Sequence, residues 1–299
     1  MARSQRARRA HLQSEQLESR LVPSIDLTAV EWRTIDGTSN NLTVLNQGAA
    51  ETEQIRFGYG DDFPDDNGDQ LAPGPNARSV SNAVLSQSGS ILSNRLLTDW
   101  AFQWGQWVTH DMDLTRTGPE FNVLSDGTTG DFRIPVLDAG DPFGQGTLIP
   151  FNRSEYFAGT GVNGERREVV NSITSYIDAS HVYGSDPTRA AALRTFVGGK
   201  LATSANGRLL PLWDPSTGLD NADALGKGNQ LFLAGDVRAN EQLGLTVVHT
   251  LFVREHNRLA DRIAQLYPSL NDEQIYQLAR RLVGVEQQII TYEEYGPSQ

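Results

Sequence analysis

The run from Asn240 to Tyr267, NEQLGLTVVHTLFVREHNRLADRIAQLY, constrains the fold more than any other part of the chain. Leu245, Val248, Phe252, Leu259 and Ile263 recur along one stripe at helical spacing. That periodicity predicts a long amphipathic helix with one buried face. Asn271, followed three residues later by Gln274, has the capping-box pattern that opens another helix. A third helix is predicted from about Ser93 to Thr109, ended by Thr-Arg-Thr-Gly-Pro, and a fourth begins near Asp186-Pro187 after a short extended piece. Residues 35–90 and 116–165 are rich in Asn, Asp, Gly, Ser and Pro and read as long loops. Alternating strand patterns are almost missing and no internal repeat is evident. The class is mainly α with long loops.

With 299 residues and 38% hydrophobic side chains, the chain can bury the core of one large domain or two ordinary ones. A net charge of -12 argues against nucleic acid or an anionic membrane as partner, because both need a basic face. The absence of cysteine removes disulfides, thiolate metal sites and cysteine nucleophiles together. No apolar run approaches the roughly 20 residues of a membrane span. Residues 1–30 are a basic, leader-like tail without the apolar stretch of an ordinary secretory signal. The piece RAHLQSEQLESRLVP resembles the opening of some exported proteins, and a frayed tail is the plainer reading.

Two short motifs carry little. DDNGD at 65–69 lacks the glycine and terminal glutamate of an EF-hand loop and reads as a solvated loop. GTGVNG at 159–164 has dinucleotide-fingerprint spacing, but no buried strand precedes it, so a dehydrogenase is a distant reading. The histidines are more informative. His249 and His256 lie on the long helix and His181 precedes Val-Tyr-Gly-Ser; for each, a satisfied structural histidine is the ordinary expectation.

His110 differs in its company, within QWGQWVTHDMDLT. Gln106 is one helical turn before it and shares its face, while Asp111 points about 100° away. The first face suits acid/base work and the second suits a cation. In TSYIDAS, Thr174, Tyr176, Asp178 and Ser180 alternate. In an extended strand or loop the hydroxyl and carboxylate oxygens would converge, with a backbone carbonyl such as that of Tyr176 able to join. That is a hard mixed set that suits Ca²⁺, although an ordinary polar strand has the same pattern. In LAGDVRANE, Arg238 stands at a junction with Glu241 three residues on, at the entrance to the long helix. A guanidinium beside a buried histidine is what a developing oxyanion requires.

Taken together, FQWGQWVTHDMDLT, IPFNRS, NSITSYIDASHVYGS, LAGDVRANE, LTVVHTLFVREHNRLA and IITYEEY occur in the order found in the animal-type haem peroxidases, the myeloperoxidase–peroxidasin superfamily, which this chain resembles. The resemblance spans about Glu31 to Tyr295. It implies a helical haem peroxidase fold, a haem b cofactor, Ca²⁺, H₂O₂ with a small organic or halide donor as partners, and export from the cell. It also implies distal roles for His110, Gln106 and Arg238, and calcium ligation by Asp111, Thr174, Tyr176, Asp178 and Ser180. Glu241 stands where family members can ester-link the haem. Thr109 replaces the second ester-forming acid, and Gln242 stands where a methionine forms a sulfonium link, which puts chloride oxidation in doubt. The family's proximal iron-ligating histidine falls after the segment matched by IITYEEY. Residues 31–299 are therefore expected to be the N-terminal portion of a peroxidase domain, C-terminally incomplete. A non-catalytic, calcium-stabilised haem-binding or adhesive fragment is the alternative from another functional class.

Overall fold

The computed structural model of the chain describes residues 30–54, 69, 74–124, 126–161, 166–223 and 225–299. Residues 33–299 pack as one compact unit, and of the preceding unit, residues 1–32, only residues 30–32 are described. The basic tail and the DDNGD loop lie outside the described residues, apart from Val30 and Asp69.

The described residues are mainly helical. In chain order they form α1 (Ala77–Leu85), α2 (Asp99–Met112), α3 (Ser180–Tyr183), α4 (Pro187–Ala192), α5 (Leu243–Leu266) and α6 (Asp272–Ile289), the last running on through a π-helical stretch, Ile290–Tyr295, into α7 (Gly296–Ser298). Two short antiparallel ladders join them. The first pairs β1 (Thr52–Glu53) with β4 (Val170–Asn171), and the second pairs β2 (Ile134–Pro135) with β3 (Leu148–Ile149).

Local signals account for the helix ends. Asn271 accepts from Gln274 N while the Gln274 side chain accepts from Asn271 N, so the predicted capping box opens α6. Asp186 accepts from Arg189 N and Pro187 fills the first position of α4. α2 begins later than the sequence predicts. Leu96 adopts a φ of 54°, in the left-handed region, and its N–H closes a tight turn onto Ser93 O at 2.9 Å. A left-handed residue cannot continue a right-handed helix, so winding starts only after Thr98.

The core sits where α5 meets α6, with α2 and α3 laid against α5. The predicted stripe Leu245, Val248, Phe252, Leu259 and Ile263 is buried, as are Ile275, Ala279 and Val283 of α6. Gly199 lets the preceding loop touch the start of α6. Its φ is +69°, and a Cβ there would lie 2.6 Å from both Ile275 Cγ2 and Tyr276 N. His256 meets the ordinary expectation, with Nδ1 2.9 Å from the Tyr183 hydroxyl and Nε2 2.8 Å from Gly199 O.

One contact between α5 and α6 opposes like charges. Burial, then the neighbouring Glu255 carboxylate, pushes Glu286 from 4.5 up to about 7. Between those values the folded chain binds more protons than the unfolded one, so this group's contribution to stability is lost as pH rises from about 4.5 to 7. Glu286→Gln should therefore stabilise the chain at pH 8 by on the order of 1 kcal/mol, with a much smaller effect near pH 4.5. Urea melts of both chains at the two pH values check this; an equal difference at each would contradict the assignment.

Candidate active site

α2 divides its faces as the sequence predicts. Trp107 points into the core, 0% exposed, stacked on Phe252 with ring centroids 5.2 Å apart. The edges of His181 and His249 also meet it, at 3.7 Å and 4.7 Å. That anchor fixes the rotation of α2, and Gln106 and His110 project toward the loop that carries Arg238 and Glu241.

His110 is buried, with Nδ1 3.9 Å from Asp236 Oδ1 and Nε2 3.8 Å from Glu241 Oε2, both longer than hydrogen bonds. Burial, and next the positive charge of Arg238, lowers its pKa to about 4. The imidazole is therefore neutral at pH 7 and free to take a proton. Arg238 is held by Asp236, which accepts from Nε at 2.9 Å, from Nη2 at 2.7 Å and from the Arg238 backbone N at 2.7 Å. Burial alone would raise the Asp236 carboxyl, but the hydrogen bonds and charge of Arg238 outweigh it and hold the group below its ordinary range. The loop can lie this close because residue 235 is glycine. A Cβ there would come within 2.6 Å of Gly184 N, Ser180 O and Tyr183 N, all backbone atoms of α3 and its end.

Gln106 is oriented from both ends. Its Nε2 donates to Glu241 Oε2 at 2.8 Å and its Oε1 accepts from Gln242 Nε2 at 2.9 Å. Gln242 also caps α5, its Oε1 accepting from Gly244 N at 2.9 Å. The Thr109 hydroxyl turns back to its own helix, donating to Gly105 O at 3.0 Å. Around this polar set, the Glu241 carboxylate and the apolar side chains of Phe102 and Leu243 are exposed. A neutral base, an anchored cation and a carboxylate rimmed by apolar surface suit a large, flat, mostly apolar cofactor with a polar reaction face.

On the other side of α2, Asp111, Thr174, Asp178 and Ser180 come together and are all buried. Bends, not a strand, achieve this: β4 ends at Asn171 and Ala179 adopts a φ of 67°. Thr174 Oγ1 donates to Asp178 Oδ1 at 3.0 Å, and Ser180 Oγ donates to Asp111 Oδ1 at 2.9 Å. Asp178 Oδ2 has no hydrogen-bond partner, and Arg33 stands 3.6 Å from it. Burial, then the charge of Asp111, pushes Asp178 up to about 7, the condition of two buried carboxylates short of positive charge. These groups fit a hard divalent cation. The Tyr176 hydroxyl donates outward to Gln47 O at 2.6 Å, so its backbone carbonyl, the group the sequence pattern offered, is the one left to join. Among the described residues, no group of three or more His, Asp or Glu is arranged to hold a metal ion. GTGVNG lies partly outside the described residues; the Gly161 N–H donates to Arg166 O at 3.2 Å.

Asp236 carries no role in the sequence reading, and Gln242 and His181 enter there only as the replacement of a methionine and as an ordinary structural histidine. Asp236 was detectable, because a GDVR turn with Asp two residues before Arg invites a side-chain bond to the Arg238 N–H. Gln242 and His181 left no local signal. His181 Nδ1 lies 2.8 Å from Asp111 Oδ1 without hydrogen-bonding alignment, and His181 and His249 are buried with no hydrogen-bond partner at either ring nitrogen.

The fold is that of known helical oxidoreductases. Peroxidase A from Dictyostelium discoideum superposes with a TM-score of 0.76 at 29% identity, over 90% of this chain and 53% of that one. A fatty acid alpha-dioxygenase of Arabidopsis thaliana shares the fold with a TM-score of 0.68 at 21% identity, over 92% of this chain and 38% of that one. The sequence model of the animal haem peroxidases matches residues 32–299, and the chain belongs to that family. Lactoperoxidase of Mesocricetus auratus is 36% identical over 89% of this chain and 41% of its own length, and Peroxinectin A of Dictyostelium discoideum is 32% identical over 90% and 51%. The chain thus spans about half, or less, of the length of these relatives. Among the described residues, no helix is long and apolar enough to cross a membrane.

Proposed function

We propose that this chain carries the distal machinery of a haem peroxidase that reduces H₂O₂ and oxidises a small organic or halide donor. The observation that supports it most is His110, buried and neutral at pH 7, set between Asp236-anchored Arg238 and doubly oriented Gln106. Haem b, when bound, supplies the redox chemistry. Nδ1 of His110 is on the Asp236 side, so Nε2, near Glu241, is the nitrogen left for the peroxide. His110 takes a proton from one peroxide oxygen and returns it to the other, which leaves as water. Arg238 offsets the negative charge that grows on the departing oxygen, and Gln106 orients a small molecule beside it. Export from the cell, as the resemblance implies, belongs to the same proposal. A haem-loaded form that includes the proximal histidine should oxidise guaiacol with H₂O₂ well above free haemin, whereas residues 1–299 alone should exceed free haemin little. Activity equal to free haemin in that extended form would remove this reading and favour the non-catalytic, haem-binding alternative.

Two attachments accompany it. Asp111, Asp178, Thr174 and Ser180, with the backbone at Tyr176, would hold Ca²⁺. Ligand that binds only the folded state raises stability with its concentration, by about 2.7 kcal/mol at 100 Kd. Thermal melts should therefore rise on adding Ca²⁺ and fall with EGTA, and Asp178→Ala should abolish the response; melts indifferent to both reagents would refute the site. Glu241 would form a single ester to the haem, since the Thr109 hydroxyl cannot form the second. Mass spectrometry of peroxide-treated, haem-loaded protein should show one link, absent in Glu241→Gln. Two links, or one that survives that substitution, would exclude it.

A further inference from the structure

We propose that Asp236 is the positioning residue of this site: its buried carboxylate clamps one edge of the Arg238 guanidinium and turns the other edge to the ligand. The inference deepens the peroxidase reading and rests on it. Asp236 is 2% exposed, and both its oxygens are committed to Arg238, Oδ1 to Nε and Oδ2 to Nη2. Such two-point, charge-assisted pairing sets direction as well as distance, because guanidinium and carboxylate are both planar. Nη2 also reaches toward His110 O, at 3.5 Å, so the clamp places the guanidinium beside the helix turn that bears the base. Among the described residues Arg238 Nη1 has no hydrogen-bond partner, which leaves it as the donor for a peroxide oxygen.

The support of the clamp is rigid. The Asp236 backbone N–H donates to His181 O at 3.0 Å, and Gly235 lies flat against α3. Oδ1 also faces His110 Nδ1 from 3.9 Å, so one carboxylate stands next to both distal groups. Without it, a long side chain would have to hold its own direction against several rotamers. Asparagine in its place keeps the size but loses the charge and one acceptor.

The test has one arm that needs no haem. In ¹⁵N-labelled protein the Arg238 Nε–Hε signal, identified by its loss in Arg238→Lys, should lie apart from solvent-exposed arginines and exchange slowly. In Asp236→Asn it should move among them and exchange fast. A wild-type signal already among the exposed arginines, or one unchanged in Asp236→Asn, overturns the clamp whatever the activity; the wild-type measurement decides even if the variant does not fold. In the second arm, haem-loaded Asp236→Asn should react with H₂O₂ about 10–100-fold more slowly than wild type. In an Arg238→Lys background the same change should cost less than about threefold, since the two residues act as a unit. Additive losses would overturn the positioning role. In a form that includes the proximal histidine, a haem-loaded wild type with no reaction, beside an intact NMR signature, would leave the clamp standing and remove the peroxidase reading.

Discussion

A haem-loaded His110→Gln chain should react with H₂O₂ about 10²–10⁴-fold more slowly than wild type, the range for loss of a positioned general acid–base group. Glutamine is close in size to histidine, cannot accept the proton, and replaces a ring whose Nδ1 makes no hydrogen bond. The fold should therefore survive, and a melting curve near that of wild type is the control. The pH dependence adds a second check. His110 must be neutral to act as base, and burial with Arg238 brings its pKa down to about 4. The wild-type rate should be flat through neutrality and fall only as pH drops toward that value. In a chain without the Arg238 charge, burial still acts but the Coulombic share is gone, so the acid limb should move upward. Stopped-flow mixing with H₂O₂ from pH 3.5 to 8 measures both effects. A His110→Gln chain as fast as wild type would exclude His110 as the base.

Trp107→Ala should lower the stability of the fold by about 3–5 kcal/mol, the cost of truncating a large buried aromatic. Trp107 is 0% exposed and joins α2 to α5 through Phe252 and His249. Removing it deletes the indole's contacts with both helices and leaves a cavity beside histidines whose ring nitrogens already lack hydrogen bonds. Its indole N–H also makes no hydrogen bond, so Trp107→Phe gives up packing volume only and should cost clearly less. Urea unfolding of the three chains orders the effects, and a change under about 1 kcal/mol for alanine would show that α2 is held elsewhere. Because His110 lies less than one turn further along the same helix, Trp107→Ala should also weaken the distal site at temperatures where the chain remains folded.

What could be read along the chain was what neighbouring residues decide among themselves. The α5 stripe, the Asn271–Gln274 capping box, the Asp186-Pro187 helix start and the shared face of Gln106 and His110 all depend on contacts within a turn or two. The order of the motifs carried the family, with its matched residues 32–299. Tertiary structure decided the rest. A left-handed Leu96 moved the start of α2, and bends around Ala179, not strand alternation, gathered Thr174, Asp178 and Ser180 on Asp111 while leaving the Tyr176 side chain outside. Gln242 became both helix cap and partner of Gln106 only once α5 met α2. The charge states followed burial. His110 near 4 and Asp178 near 7 are displaced from their ordinary values because packing removed water and set other charges close by. Spacing along a chain records which side chains can share a face; how dry that face becomes, and which charge stands opposite, depends on segments distant in sequence that meet only in the folded state.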